Sequence, residues 1–191
     1  MKERSSTEVC SRSIRSDSFS HDSSIFERSL TDPQEFVEIY DRYASQIYRY
    51  ALLRLGDELV DEAVARIFLT AFRRRSFYSS RLWTVRTWLY GITNGVISSY
   101  RRQEIMRYRT MAHDESMHFT GDAWTVRRIA TTLGALPRKQ RDAYLLVAWG
   151  SLSLTEAAQA LGIPTTQLQT RFDRASQRMA AALTVDLQEV S

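Results

Sequence analysis

From Phe36 to Tyr100, apolar residues return at steps of three and four, a spacing that lays them along one face of a helix and rules against a pleated strand. Phe36, Tyr40, Tyr43, Ile47, Ala51 and Leu55 form the first run, widened by Val37, Ala44, Tyr48 and Leu52 and stopped by Gly56. Ahead of it, Asp32-Pro33-Gln34-Glu35 reads as a helix start, with Asp32 as cap, Pro33 at the first helical position and Glu35 completing a capping box. Val60, Ala63, Val64, Ile67, Phe68, Ala71 and Phe72 make a second run that ends in Arg73-Arg74-Arg75. Val85, Trp88, Leu89, Ile92, Val96 and Tyr100 make a third, which continues toward Arg109. Three such helices can share one core. With 7 Gly and 3 Pro among 191 residues, and no alternating stretch of six or more residues bounded by turn signals, the chain is expected to be all-α.

The runs divide the chain. Residues 1–30 hold ten Ser and only isolated Ile14, Phe19, Ile25 and Phe26 to bury, too little to offset the entropy of ordering. They read as a disordered arm, dispensable for folding, with a short docking helix near Ile25 and Phe26 as the alternative. Residues 31–110 form a first helical domain. The stretch 111–121 has no apolar stripe and reads as a linker. Residues 122–185 form a second domain, opened by a helix bearing Trp124, Ile129, Ala130 and Leu133. Pro137 starts the next helix, which carries Tyr144, Val147 and Ala148 and stops at Gly150. The expected architecture is therefore two small helical domains, a linker and a disordered N-terminal arm.

The second domain carries the most specific pattern. Ser153-Leu154-Thr155-Glu156 is a capping box, followed by Leu154, Ala157, Ala158 and Leu161 on one face and by Gly162 as the stop. Ile163-Pro164-Thr165 makes a turn in which Thr165 reads as the cap. The last helix then turns Leu168, Phe172, Ala175 and Met179 inward. That is helix-turn-helix spacing, in which the small Ala157 and Ala158 allow close helix approach and the last helix enters a major groove. Thr165, Thr166, Gln167, Thr170, Arg171 and Arg174 lie on the outward face. Gln matches adenine edges and Arg matches guanine edges or phosphate oxygens, whereas a merely solvated helix mixes Glu and Lys at ion-pair spacing.

Charge and titratable residues narrow the function. Residues 31–110 hold 13 Lys and Arg against 9 Asp and Glu, the local basic excess that suits a polyanion. Cys10 is the single cysteine, so one chain builds neither a disulfide framework nor a thiolate metal site, and a reducing cytoplasm fits. No signal peptide or membrane-spanning run is seen, so a cytoplasmic protein without membrane insertion is expected. The histidines are His21, His113 and His118, and the five-residue step of the last two places no ligand pair on one helical face. No phosphate loop or nucleophile–base pairing appears. The expectation is no enzyme, no catalytic residue, no metal, no cofactor and no small-molecule substrate.

Several segments together carry a family resemblance. Ala135-Leu136-Pro137-Arg138-Lys139-Gln140-Arg141, Leu154-Thr155-Glu156-Ala157-Ala158 through Leu161-Gly162-Ile163, and Thr170-Arg171-Phe172-Asp173-Arg174-Ala175 resemble sigma region four of the extracytoplasmic-function (ECF) RNA polymerase sigma factors. Tyr48 to Gly56, Phe68-Leu69-Thr70-Ala71-Phe72-Arg73 and Thr87-Trp88-Leu89-Tyr90-Gly91-Ile92 leading to Tyr100-Arg101-Arg102 are similar to region two. The resemblance spans about residues 33–180, in the family's own order.

The resemblance implies a factor that directs bacterial RNA polymerase to promoters. Region four would read duplex minus-thirty-five DNA through the helix-turn-helix. Region two would read the melted minus-ten element, where unpaired bases stack on aromatic rings and accept Arg contacts, with Arg86, Asn94, Ser98, Tyr100, Arg101 and Arg102 as its candidates. Trp83 and Tyr90 lie beside them, whereas Trp88 and Leu89 read as core. Asp61, Glu62 and Arg66 on the second helix would bind core RNA polymerase, and an anti-sigma factor is a further candidate partner. The chain departs from the family at Ala65-Arg66, where a Gln-Glu pair is usual, at Gly95 and Ser99, where Asn and an acidic residue are usual, and at Pro164, where a Ser cap is common. The alternatives are a helix-turn-helix regulator without polymerase docking and a sigma-like decoy that binds an anti-sigma partner.

Overall fold

The computed structural model describes residues 22–113 and 123–184, and its first helix, α1 (22–31), lies where the sequence predicts a disordered arm. Ile25 and Phe26 are fully buried, Phe26 against the rings of Phe36, Tyr78 and Trp88. Asp22 is buried between Arg42 and Tyr43, bonded to both. Arg75 Nε donates to the Ser29 carbonyl at 3.1 Å. The expectation that residues up to 30 have nothing to pack is therefore corrected for 22–30. The pair Ile25-Phe26 suffices because its partners come from three later segments. Residues 1–21 of that expectation lie outside the described residues.

Asp32 accepts from the Gln34 amide at 3.0 Å and caps a single 3-10 turn, Pro33–Glu35. The capping box expected there does not form, because the Glu35 carboxylate turns back to Arg28 at 3.0 Å. Helix α2 (Phe36–Leu55) buries Phe36, Tyr43, Ile47, Ala51 and Leu55 as its spacing predicts, adds Ile39, Tyr50 and Arg54 to that face, and leaves Tyr40 of the expected run exposed. Gly56 ends α2 at φ 85°, a left-handed conformation that favours glycine, and Arg107 fills the space a side chain would need. Helix α3 (Asp57–Arg73) buries Val60, Ala63, Val64, Ile67, Phe68 and Ala71, as its spacing predicts.

Thr84 caps α4 (Val85–Ile97) by accepting from the Thr87 amide at 3.1 Å. A 3-10 turn, Ser98–Tyr100, then bends the chain into α5 (Arg101–His113). Helix α5 extends through 111–113, which the sequence assigns to a linker; the rest of that linker, His118 included, lies outside the described residues. The second half contains α6 (Ala123–Ala135), α7 (Arg138–Ala148), α8 (Leu154–Leu161) and α9 (Thr165–Thr184). No strand occurs among the described residues.

The two halves meet face to face. Helix α5 packs along α6 and α4 along α8, and the buried apolar side chains form one connected cluster through both halves. Gly91 on α4 makes the second contact possible: a side-chain carbon there would lie 3.0 Å from the Ala160 carbonyl oxygen of α8.

Candidate nucleic-acid interface

The α8–α9 hairpin is built as its residues dictate. The Ser153 hydroxyl accepts from the Glu156 amide at 3.2 Å, and the Glu156 carboxylate accepts from the Ser153 amide at 2.8 Å, closing the capping box. Gly162 at φ 63° reverses the chain. The cap of α9 is Pro164 rather than Thr165: the Pro164 carbonyl accepts from the amides of Gln167 and Leu168, and Thr165 is the first helical residue. Leu168, Ala175 and Met179 are buried, and Phe172 stacks on Tyr144 of α7 with ring centres 5.9 Å apart.

Thr166, Gln167, Thr170 and Arg174 are exposed on the opposite face with the half-buried Arg171 beside them, whereas Thr165 is exposed at the helix start, in phase with Leu168 and Phe172. Arg171 Nη2 donates to Gln167 Oε1 at 2.9 Å. This one-turn pair leaves the Gln167 amide nitrogen and the rest of the Arg171 fork directed outward, the combination of donors and acceptor that reads base edges. Five of the six residues, Thr165 excepted, thus share one helix face.

The six candidates for melted DNA are not brought together. Arg101 and Arg102 are exposed at the start of α5. Asn94 is buried, with its Oδ1 accepting from Arg54 Nη1 at 2.9 Å. Tyr100 is buried and donates to Glu62 Oε1 at 2.8 Å. Ser98 accepts from Arg138 Nη2 of α7 at 2.5 Å. Arg86 Nη2 donates to the carbonyls of Gly150 and Ser151, at 2.8 and 3.1 Å, in the turn before α8. In this arrangement Asn94 and Tyr100 are structural: Asn94 spends its oxygen on the buried Arg54, and Tyr100 is itself buried with its hydroxyl held by Glu62. Arg86 and Ser98 are occupied by the second half.

On α3, Asp61, Glu62 and Arg66 are exposed. Arg66 reaches across to the 3-10 turn between α4 and α5, with Nη1 donating to Ser99 Oγ at 3.2 Å and its guanidinium 5.9 Å from the centre of the Tyr100 ring. Glu62 and Arg66 both meet that turn, whereas Asp61 lies beside Tyr48 of α2. His113 lies exposed at the end of α5.

Two features escaped the sequence reading. The connection between α3 and α4 exposes Phe77 and Leu82, 77% and 59% accessible, among Arg73, Arg74 and Arg81. Apolar and aromatic side chains set among guanidiniums suit unstacked bases, and their signal was the arginine run that ends α3. A cavity of about 600 Å³ opens beside this connection, between α3, α4 and α8, with Arg74, Trp83 and Trp88 in its wall.

The second feature is a buried charge cluster. Arg54 of α2 is 1% accessible, with Nε donating to Glu104 Oε1 of α5 at 2.7 Å and Nη2 to Asp142 Oδ1 of α7 at 2.9 Å. Tyr50 and Asn94 accept from Nη1. Arg141 of α7, also 1% accessible, reaches Glu104 at 3.5 Å and donates to the carbonyls of Leu133 and Leu136. Burial opposes the Arg54 charge, but Tyr50, Glu104, Asp142 and Tyr108 around it hold the guanidinium charged, well above its ordinary range. Burial pushes the Tyr50 hydroxyl up to about 12. The sequence signal was a charge at position 54, in phase with the buried Ile47, Tyr50 and Ala51.

Comparison with known proteins follows these features. Residues 126–179 match the family model described as sigma-70, region 4. The structure is similar to CnrH, solved in complex with the cytosolic domain of CnrY, at TM-score 0.66 and 22% identity over 86% of this chain and 98% of that one. It is also similar to the sigma factor RpoE, solved with the anti-sigma factor NepR from Bartonella quintana, at TM-score 0.54 and 18% identity over 81% of this chain and 97% of that one. At these identities the likeness is one of fold. No curated protein matches the chain in sequence.

Proposed function

We propose, from the match of residues 126–179 to sigma-70 region 4, that the chain is a sigma factor of the ECF type, which brings RNA polymerase to promoters and starts transcription there. The observation that carries this reading is the outward face of α9, where Thr166, Gln167, Thr170, Arg171 and Arg174 stand opposite a fully packed stripe on a capped helix-turn-helix. That face reads the duplex minus-thirty-five element. Arg101, Arg102 and the arginine-rich connection with Phe77 and Leu82 take the melted minus-ten element, joined by Arg86 and Ser98 once the second half releases them. The exposed side of α3 around Asp61 docks on core polymerase. Its activity is recognition rather than bond chemistry, carried by α1–α5 and α6–α9 as two units.

An anti-sigma partner belongs to the same reading, since RpoE, which shares this fold, was solved with one. Among the described residues no helix is long and apolar enough to cross a membrane. A second reading, a DNA-binding regulator without polymerase docking, rests on Arg66, which replaces an expected acidic residue and points toward Ser99.

Transcription in vitro with purified core polymerase and fragmented genomic DNA separates the two. A sigma factor gives discrete transcripts that depend on this chain. Sequence-selective DNA binding without transcripts, and without retention of core polymerase, leaves the regulator.

A further inference from the structure

The connection between α3 and α4, residues 74–84, carries Phe77 and Leu82 on its outside and is held from its inside by α1. Arg75, Tyr78 and Trp83 make the attachment. Arg75 Nε donates to the Ser29 carbonyl of α1 at 3.1 Å and Arg75 Nη1 to the Phe72 carbonyl at 2.7 Å, so one guanidinium ties the last turn of α3 to α1. The Tyr78 ring lies 4.5 Å from that of Phe26 and 5.7 Å from that of Trp88. Its hydroxyl donates to the Trp83 carbonyl at 3.1 Å and therefore accepts from the Ser23 hydroxyl at 3.0 Å, since a phenol has one proton to give.

The far end of this relay is anchored as well. Asp22, next to Ser23, is buried and bonded to Arg42 and Tyr43 of α2. Contacts thus run without a break from α2 through Asp22 and Ser23 to Tyr78, and on to Trp83. They bracket the exposed groups: Phe77 sits between the anchored Arg75 and Tyr78, and Leu82 precedes the anchored Trp83. A loop left free would have to be ordered when a strand stacks on it, at a cost subtracted from affinity. A loop already held binds more tightly with no added contact to the ligand.

We propose that α1 is a positioning element for single-stranded DNA: Ser23, acting through the Tyr78 hydroxyl, fixes the connection from which Phe77 and Leu82 meet unstacked bases. The proposal rests on the reading of that connection as part of the melted-element surface. It adds Ser23 and Tyr78 as positioning residues, which act on the bases only through their neighbours.

The test compares the full chain with three variants. Ser23→Ala removes the donor to Tyr78, Tyr78→Phe removes both hydroxyl bonds and keeps the ring, and Phe77→Ala removes an exposed ring. Affinity is measured for a randomised single-stranded DNA pool and for a randomised duplex pool. Hydrogen exchange is followed at the amides of Phe77, Leu82 and Trp83, which bond to the carbonyls of Arg74 and Ser79.

Tyr78→Phe is expected to bind the single-stranded pool about fivefold more weakly, the factor that one net hydrogen bond of ordering supplies, with duplex binding unchanged. Ser23→Ala should move in the same direction by less. Both should exchange the three amides faster than the parent. Exchange equal to the parent's in both variants overturns the attachment, and faster exchange with parental single-strand binding overturns the positioning. Equal single-strand binding by the parent and Phe77→Ala defeats the melted-element reading of the connection and the positioning role with it, whereas faster exchange in Tyr78→Phe would still uphold the attachment to α1.

Discussion

Phe26→Ala tests whether α1 belongs to the folded unit. Phe26 is 1% accessible and touches three rings, with centroids 4.5 Å away at Tyr78, 5.1 Å at Trp88 and 5.7 Å at Phe36. Truncating a buried Phe to Ala costs about 3–5 kcal/mol when the cavity cannot collapse. Here the low end applies, because a ten-residue helix at the edge of the domain can peel away once its anchor is lost, which caps the loss at the docking energy of α1. About 3 kcal/mol in a chain of this size lowers the melting midpoint by roughly 6–12 °C. The assay is thermal unfolding by far-ultraviolet circular dichroism of the parent, Phe26→Ala and a chain lacking residues 1–31. Tryptophan emission gives a second readout, since Trp88 rests on Phe26 and Tyr78. The truncated chain should melt with the point variant or below it. A Phe26→Ala midpoint within about 2 °C of the parent, less than the shift of 1 kcal/mol, would refute the docking of α1.

Other outcomes follow from the same geometry. Ser153→Ala removes the cap of α8 and should cost about 1 kcal/mol, read as a lower unfolding midpoint in urea with unchanged slope. Gln167→Ala should relax preference at one base position, costing about 1–3 kcal/mol on the preferred duplex alone, whereas Arg174→Ala should weaken all duplexes and flatten the dependence of binding on salt; selection from a randomised duplex library at two salt concentrations distinguishes them. Tyr50 ionises near 10 as a free side chain and is pushed up to about 12 in the fold by burial. Its folded pKa is the higher one, so its contribution to stability is fully present below pH 10 and is lost as pH rises through about 12; denaturant unfolding followed across that window should show falling stability, less steep in Tyr50→Phe.

Much of the second half was legible in the sequence because its determinants are local. The Ser153–Glu156 box needs three residues, Gly162 needs only its own backbone, and Leu168, Ala175 and Met179 follow the helical period, so the reading face opposite them could be named in advance. The exception, Pro164 in place of Thr165 as cap, is a shift of one residue in that same turn. What escaped depends on partners distant in sequence. Ile25 and Phe26 look too few to order a segment until Phe36, Tyr78 and Trp88 are brought around them. Asn94 carries the right chemistry for a base, but the buried Arg54 one helix away takes its oxygen. Periodicity shows which face of a helix is buried; it does not show that a charge on that face will meet Glu104 and Asp142.

The division of the buried charge cluster between the two halves of the chain also has a consequence for the order in which the protein is made. Arg54 finds Tyr50, Asn94 and Glu104 entirely within the part of the chain synthesised first, so the first half can bury its cation before Asp142 exists. About 38 residues separate Glu104 from Asp142, which at roughly 5–20 residues per second gives about 2–8 seconds between them. During that interval the partners of Arg86 and Ser98, the turn before α8 and Arg138, do not yet exist. The contacts that cover Arg86 and Ser98 can therefore form only after translation has reached the second half.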